Sequence, residues 1–132
     1  MNKKRVGIVG VGNVGATLAF TLATKDICSS ILLKDQRENI TQAMALDISQ
    51  ATNAANSKTV IYACLNDEEF NNCDVIVITA GVARKPGMSR DDLLLINAKI
   101  MTSVIKGIIH YNPNGIIIIV SNPLDAMVYT AL

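Results

Sequence analysis

The sequence predicts an α/β fold, a doubly wound parallel sheet with helices on both faces. Three observations lead there. Short runs rich in Val and Ile alternate with longer segments whose apolar residues recur at helical spacing. The short runs are apolar at successive positions, the pattern of strands covered on both sides rather than of a sheet with one wet face. Parallel strands joined through helices by right-handed crossovers then wind outward in both directions from a central strand. The 132 residues fit one domain, residues 1–132, and half of them are hydrophobic, so a sizeable core is available.

Arg5 to Val9 reads as the first strand, ending at Gly10. Val14 to Thr24 reads as a helix with Leu18 and Leu22 four apart on one face. Ile31 to Leu33 is a second strand. Glu38 to Ala51 is a second helix, carrying Ile40, Met44 and Ile48 at spacing four. Thr59 to Tyr62 is a short strand, and Asp74 to Thr79 a continuous apolar one bounded by polar residues. Ser89 caps a long helix reaching His110, with Asp92 as its acidic partner at the third position. Leu93, Ile96, Ile100, Val104 and Ile108 are expected on that helix's buried face. Asn112-Pro113-Asn114-Gly115 is a turn. Ile116 to Val120 is the most apolar strand, ended by Asn122-Pro123, and a last apolar helix begins at about Leu124. Repeats, low-complexity segments and linkers are not evident, and the chain stops in or just after a helix, as a domain cut from something longer would.

Composition narrows the function. Lys plus Arg is 12 and Asp plus Glu is 11, a net charge of +1, which gives no footprint for nucleic acid. Aromatic residues make up 4% and Trp is missing, so stacking platforms for single strands are not expected either. Cys28, Cys64 and Cys73 lack C-x-x-C spacing and read as reduced thiols packed as small hydrophobes. His110 has no second ligand in view and reads as structural or solvent-facing, so no metal site is expected. Asn2-Lys3-Lys4-Arg5 ahead of Val6 to Val9 resembles a signal-peptide start, but Gly10, Gly12, Asn13 and Gly15 break the apolar run. A strand entering a turn explains it better. No unbroken apolar stretch approaches the roughly 18 residues of a membrane span.

Gly10-Val11-Gly12-Asn13-Val14-Gly15 fits G-x-G-x-x-G between a strand and a helix, the context that motif requires. Gly10 permits a tight turn, Gly12 lets backbone approach a pyrophosphate, and Gly15 lets the helix pack close to the sheet. Free amides and the positive dipole end of the helix favour an anion there. The second strand ends in Asp35, and 35 − 15 = 20 residues is the distance expected for a ribose-binding acid. Asp35 would accept from both ribose hydroxyls and repel a 2′-phosphate, so NAD is expected over NADP. Lys34 and Arg37 flank it and soften that preference. The competing reading is a plain βα turn with Asp35 as a helix cap.

Thr79 to Arg90 is a basic loop that follows the fourth strand, at the carboxyl edge where open α/β sheets bind ligands. Arg84 and Arg90 lie six residues apart, and each guanidinium matches a carboxylate two bonds at a time. The pair points to a small substrate with two carboxylates. Gly81, Pro86 and Gly87 give the loop hinge chemistry suited to a lid. Asn122 would place an amide in the same crevice. A solvated basic surface is the alternative.

Together, GVGNVGATLA, the aspartate of LLKD, ALD at 45–47, ITAGVARKPGMSRDDLLLINAKI and IIIIVSNPLDAMVY resemble the N-terminal half of the malate and lactate dehydrogenases, from about residue 5 to the end. The resemblance implies a Rossmann-type dinucleotide-binding fold, NAD as cofactor and interconversion of malate and oxaloacetate. Arg at position 84 looks like the malate type, since lactate enzymes usually carry Gln there, and the lactate-dehydrogenase-like bacterial kind is nearest in pattern. By resemblance, residues Gly10 to Gly15, Asp35 and Asn97 would hold NAD, and Val120, Ser121 and Asn122 would run beside the nicotinamide. Arg84, Arg90 and Asn122 would bind the dicarboxylate, Arg84 at its distal carboxylate. The family's catalytic His, the Asp that orients it and a third substrate Arg come from the half after this segment, and His110 does not match the catalytic position. No catalytic residue is therefore expected in this chain, which alone would bind NAD weakly or not at all. Met44 stands where a Lys is common. A cytoplasmic homo-oligomer of the tricarboxylic acid cycle is also implied. A lactate or other 2-hydroxyacid dehydrogenase and a non-catalytic NAD-binding module remain as rivals.

Overall fold

Five strands and four helices follow one another in the computed structural model, which describes residues 3–132; Met1 and Asn2, the start of the basic leader-like run, lie outside the described residues. The elements are β1 (Arg5–Val9), α1 (Asn13–Thr24), β2 (Ser30–Lys34), α2 (Glu38–Ala54), β3 (Val60–Ala63), β4 (Val75–Ile78), α3 (Arg90–Tyr111), β5 (Ile116–Ile119) and α4 (Leu124–Ala131). A 3₁₀ turn, Asp67–Asn72, fills the crossover between β3 and β4 and was not expected from the sequence.

The sheet is wholly parallel, in the order β3-β2-β1-β4-β5. The order reverses direction at β1: the chain winds one way through β2 and β3, then crosses over to β4 and β5. Gly7 sits opposite Leu32 on one side and Ile76 on the other, which places β1 at the centre. The connections leaving the carboxyl ends of β1 and β4 run in opposite directions here, leaving the crevice in which doubly wound sheets bind ligands.

Two apolar clusters cover the two faces. On one, Ala19 and Ala23 of α1 and Ala45 and Ile48 of α2 pack on Ile8, Ile31 and Leu33. On the other, Met101, Ile105 and Ile108 of α3, Met127 of α4 and Phe70 of the 3₁₀ turn pack on Ile76 and Ile78. Ser89 accepts from the Asp92 N–H at 3.0 Å and donates its own N–H to the Asp92 carboxylate at 3.1 Å, the reciprocal cap the sequence predicts.

Two expectations and one rival reading need correction. The buried face of α3 runs through Asn97, Met101, Ile105 and Ile108, about one residue round from the predicted stripe, and Ile96 is exposed. The N-cap position of α2 is Arg37, not Asp35. Strand β5 is not covered on both faces, because Ile116 is 63% exposed and Ile118 47%. α3, with 22 residues and an 18-residue stretch of mean hydropathy 1.4, is long and apolar enough by composition to cross a membrane. Its charges (Arg90, Asp91, Asp92, Lys99 and Lys106) interrupt the apolar run, and it lies against the sheet.

Candidate functional site

The crevice at the switch point has a volume of about 380 Å³. It is lined by the ends of β1 and β2 (Val9, Gly10, Gly12 and Lys34 to Arg37), the segment Thr79 to Val82, and Ile100 and Val104 of α3. The turn after β1 explains its shape. Gly10 has φ +100°, a conformation that disfavours any side chain, and a Cβ there would come within 2.7 Å of the Ala80 nitrogen. A Cβ on Gly15 would overlap the Gly10 carbonyl oxygen, so α1 approaches the turn closely only because Gly15 lacks one. A Cβ on Gly12 would meet nothing within 4 Å and would stand in the open crevice. That bare cradle at a helix N-terminus is the room a pyrophosphate needs, so the residues present fit a dinucleotide.

Asp35 closes one end. Its Oδ2 accepts from the Val11 N–H at 2.8 Å, which ties the acid at the end of β2 to the glycine turn. Arg37 forks over the same carboxylate, Nε to Oδ1 at 3.0 Å and Nη2 to Oδ2 at 3.2 Å, and its backbone N–H reaches Oδ1 at 3.1 Å. The Arg37 guanidinium, assisted by the two backbone amides and opposed by partial burial, holds the Asp35 carboxyl down at about 2. Lys34 is not beside it in function: its ammonium pairs with Asp67, whose carboxylate lies against the bare backbone of Gly107 on α3.

The other end is built around Asn97, which is buried. Its Oδ1 accepts from the Val82 N–H at 2.9 Å, and its Nδ2 donates to the Val82 carbonyl at 3.3 Å and the Asn122 carbonyl at 2.7 Å. Both amide donors and one acceptor site are thus taken by backbone, so Asn97 stands as the anchor of this rim. Ser121, also buried, donates to the Ala80 carbonyl at 2.6 Å. Thr79 donates to the Gly10 carbonyl at 2.8 Å and joins β4 to the glycine turn. Thr79, Ala80, Ile100 and Val104 were missed by sequence reasoning. The signal for Thr79 was its place at the carboxyl end of the strand beside β1, legible once strand order is known.

The remaining expected residues are placed as follows. Asn13 and Val14 start α1 and are exposed, Val11 is buried under Asp35, and Val120 is 47% exposed at the end of β5. Arg84 and Arg90 are exposed and Asn122 likewise, and none of the three lines the crevice. Arg84 donates from Nε to the Met88 carbonyl at 3.1 Å, so its fork is turned onto its own loop. His110 is exposed near the far end of α3, packed edge-on against Tyr111. A helix of 22 residues is roughly 33 Å long, which separates it from the rim carrying Arg90. Burial pushes the Cys64 thiol up to about 12 and the Cys73 thiol to about 11, and it raises Cys28 as well. Cys28 and Cys73 are buried and Cys64 half-buried, each a free thiol. Among the described residues, no group of three His, Cys, Asp or Glu is arranged to hold a metal ion.

A wholly parallel sheet with a glycine-lined turn at its switch point and an acid at the end of the neighbouring strand defines a dinucleotide-binding domain. The particular kind follows from comparison. Residues 4–132 match the family described as lactate/malate dehydrogenase, NAD binding domain, and the chain belongs to that family. It is 68% identical over 132 residues to a malate dehydrogenase of Aliarcobacter butzleri, covering the whole of this chain and 42% of that protein. Its fold superposes on the malate dehydrogenase of Cryptosporidium parvum with a TM-score of 0.91 at 42% identity, covering 98% of this chain and 41% of that one. The malate dehydrogenase of Archaeoglobus fulgidus, solved in complex with NADH, gives 0.91 at 35% identity over 96% of this chain and 43% of that one. The chain thus spans about two fifths of the length of the curated relatives it matches.

Proposed function

We propose that this chain forms the NAD-holding half of a malate dehydrogenase. One observation carries the reading: the glycine turn Gly10 to Gly15, Asp35 and the Thr79 to Val82 segment converge on one crevice, and an arginine-bearing loop is rooted at the same sheet rim by Asn97. In this reading the amides of the turn face the pyrophosphate, Asp35 holds the ribose, and Val120, Ser121 and Asn122 flank the nicotinamide. NAD bound there supplies the hydride acceptor for the substrate carbon. Arg84 leaves the Met88 carbonyl to fork the distal carboxylate of malate or oxaloacetate, Arg90 takes the other, and the Gly81 to Ser89 loop closes over them and excludes water.

The proton is a separate matter. His110 stands at the opposite end of α3 from the rim, so no imidazole of the described residues reaches the substrate hydroxyl. In this reading, as the family resemblance implies, the general base belongs to the remaining length of the dehydrogenase. A cytoplasmic homo-oligomer belongs to the same reading, and exposed apolar side chains on β5 and α4, Ile116, Leu124 and Tyr129 among them, supply surface for assembly.

Calorimetry of the 132-residue chain with NAD, paired with an assay for malate-dependent NADH formation, tests the reading. Weak heat of NAD binding or none, without turnover, is expected of the chain alone. Malate-dependent NADH formation by the pure chain would overturn the division of labour, and calorimetry showing that an intact dehydrogenase carrying this segment ignores NAD would remove the cofactor role.

A further inference from the structure

The acceptor sites of Asp35 are full. A carboxylate offers about four lone-pair sites. Oδ1 accepts from the Arg37 N–H and Nε, and Oδ2 from the Val11 N–H and Arg37 Nη2, all within 3.2 Å. Two of these donors are backbone amides fixed by the glycine turn and the start of α2. A ribose hydroxyl can reach Asp35 only by taking a place that the Arg37 side chain now holds.

That side chain is free to yield. It is 55% exposed, against 12% for Asp35, and it makes no capping bond to α2. The other flanking cation is not free in this way, since Lys34 is engaged by Asp67 beneath α3. Of the two cations beside Asp35, Arg37 is the one able to swing.

We propose that Arg37 is a cofactor-specificity residue: its fork competes with the ribose hydroxyls of NAD for Asp35 and, once displaced, is placed to grip a 2′-phosphate. A phosphate monoester carries close to two negative charges at pH 7 and matches a guanidinium fork. Asp35 alone repels that group, whereas the Asp35–Arg37 pair is neutral and contains the phosphate's natural partner. The domain therefore rejects NADP less strongly than its acid implies. The inference rests on the crevice binding a dinucleotide.

Calorimetric titration of the intact dehydrogenase carrying this segment, as wild type, Arg37→Ala and Arg37→Lys, with NAD and with NADP tests it, with thermal melts to verify the fold. Arg37→Ala should bind NAD at least as tightly as wild type and NADP more weakly, raising the NADP-to-NAD ratio of Kd values roughly tenfold. Arg37→Lys keeps the charge without the fork and should fall between. A ratio unchanged within a factor of about two, with NAD still binding, would overturn this proposal alone. An intact wild-type dehydrogenase that binds neither dinucleotide would overturn it together with the cofactor reading.

Discussion

Asn97 and Val82 are bound to each other in both directions, the side-chain amide of one pairing with the backbone N–H and carbonyl of the other as a neighbouring strand would. Because Asn97 also holds the Asn122 carbonyl, one buried side chain sets the root of the arginine loop against the end of β5.

Removing that amide strands three backbone groups. Asn97→Leu keeps the volume but leaves the Val82 N–H, the Val82 carbonyl and the Asn122 carbonyl without their partner. The expected loss is roughly 2 kcal/mol or more, read by urea denaturation. Trypsin should also cut faster after Arg84, because the loop's root is loosened. An unchanged cleavage rate would show that Asn97 does not anchor the loop.

Gly12 and Gly15 should separate binding from folding. Gly12→Ala adds a methyl that touches no protein atom, and its φ of −82° suits alanine. It should cost about 1 kcal/mol or less as a change of helix cap while weakening NAD binding at least about tenfold. Gly15→Ala drives its methyl into the Gly10 carbonyl and should destabilise the fold by about 3 kcal/mol. Melting temperatures and NAD calorimetry on both variants check this. Equal losses of stability would refute the open-cradle reading of Gly12.

Acid should expose the Asp35–Arg37 pair. The folded Asp35 carboxyl sits at about 2, below its ordinary value of 3.8. A depressed folded pKa means the folded state binds fewer protons, so this contribution is whole above the ordinary value. It drains away as pH falls from about 4 towards 2. Asp35→Asn should flatten the acid-unfolding curve across that window and leave stability near neutral pH lowered by a constant amount. A variant curve parallel to wild type throughout pH 2–4 would refute the assignment.

Arg84 carries the choice of substrate under the proposed function. In the intact dehydrogenase, Arg84→Gln removes a fork for the distal carboxylate while pyruvate has none to offer. The kcat/KM ratio of oxaloacetate to pyruvate should fall by roughly ten- to a hundredfold. An unmoved ratio would take the specificity role from Arg84.

Much of this site could be read before any fold was known, and the reason is locality. The turn Gly10 to Gly15 is six consecutive residues whose geometry is set by the missing side chains themselves, and Ser89 and Asp92 satisfy one another across a single helical turn. The face of α3 was not legible in the same way. Leu93, Leu94, Leu95 and Ile96 offer apolar atoms all round, so the pattern has no single phase, and only the sheet decides that Asn97 and Met101 turn inward. A polar Asn at the centre of that face is buried because two backbone segments, 15 and 25 residues distant, arrive to receive it.

By itself, the sequence determined the alternation of strand and helix, the glycine turn and the acid that follows it, because each depends on neighbours a few bonds away. Tertiary structure alone decided that the Val11 amide would reach Asp35 and that Lys34 would be drawn off to Asp67. It alone put Thr79 beside Gly10 and brought Asn97 to the Asn122 carbonyl. Those outcomes depend on which chain ends a parallel sheet brings side by side, and on which donor reaches a carboxylate or carbonyl first. Residue spacing along the chain carries no record of either.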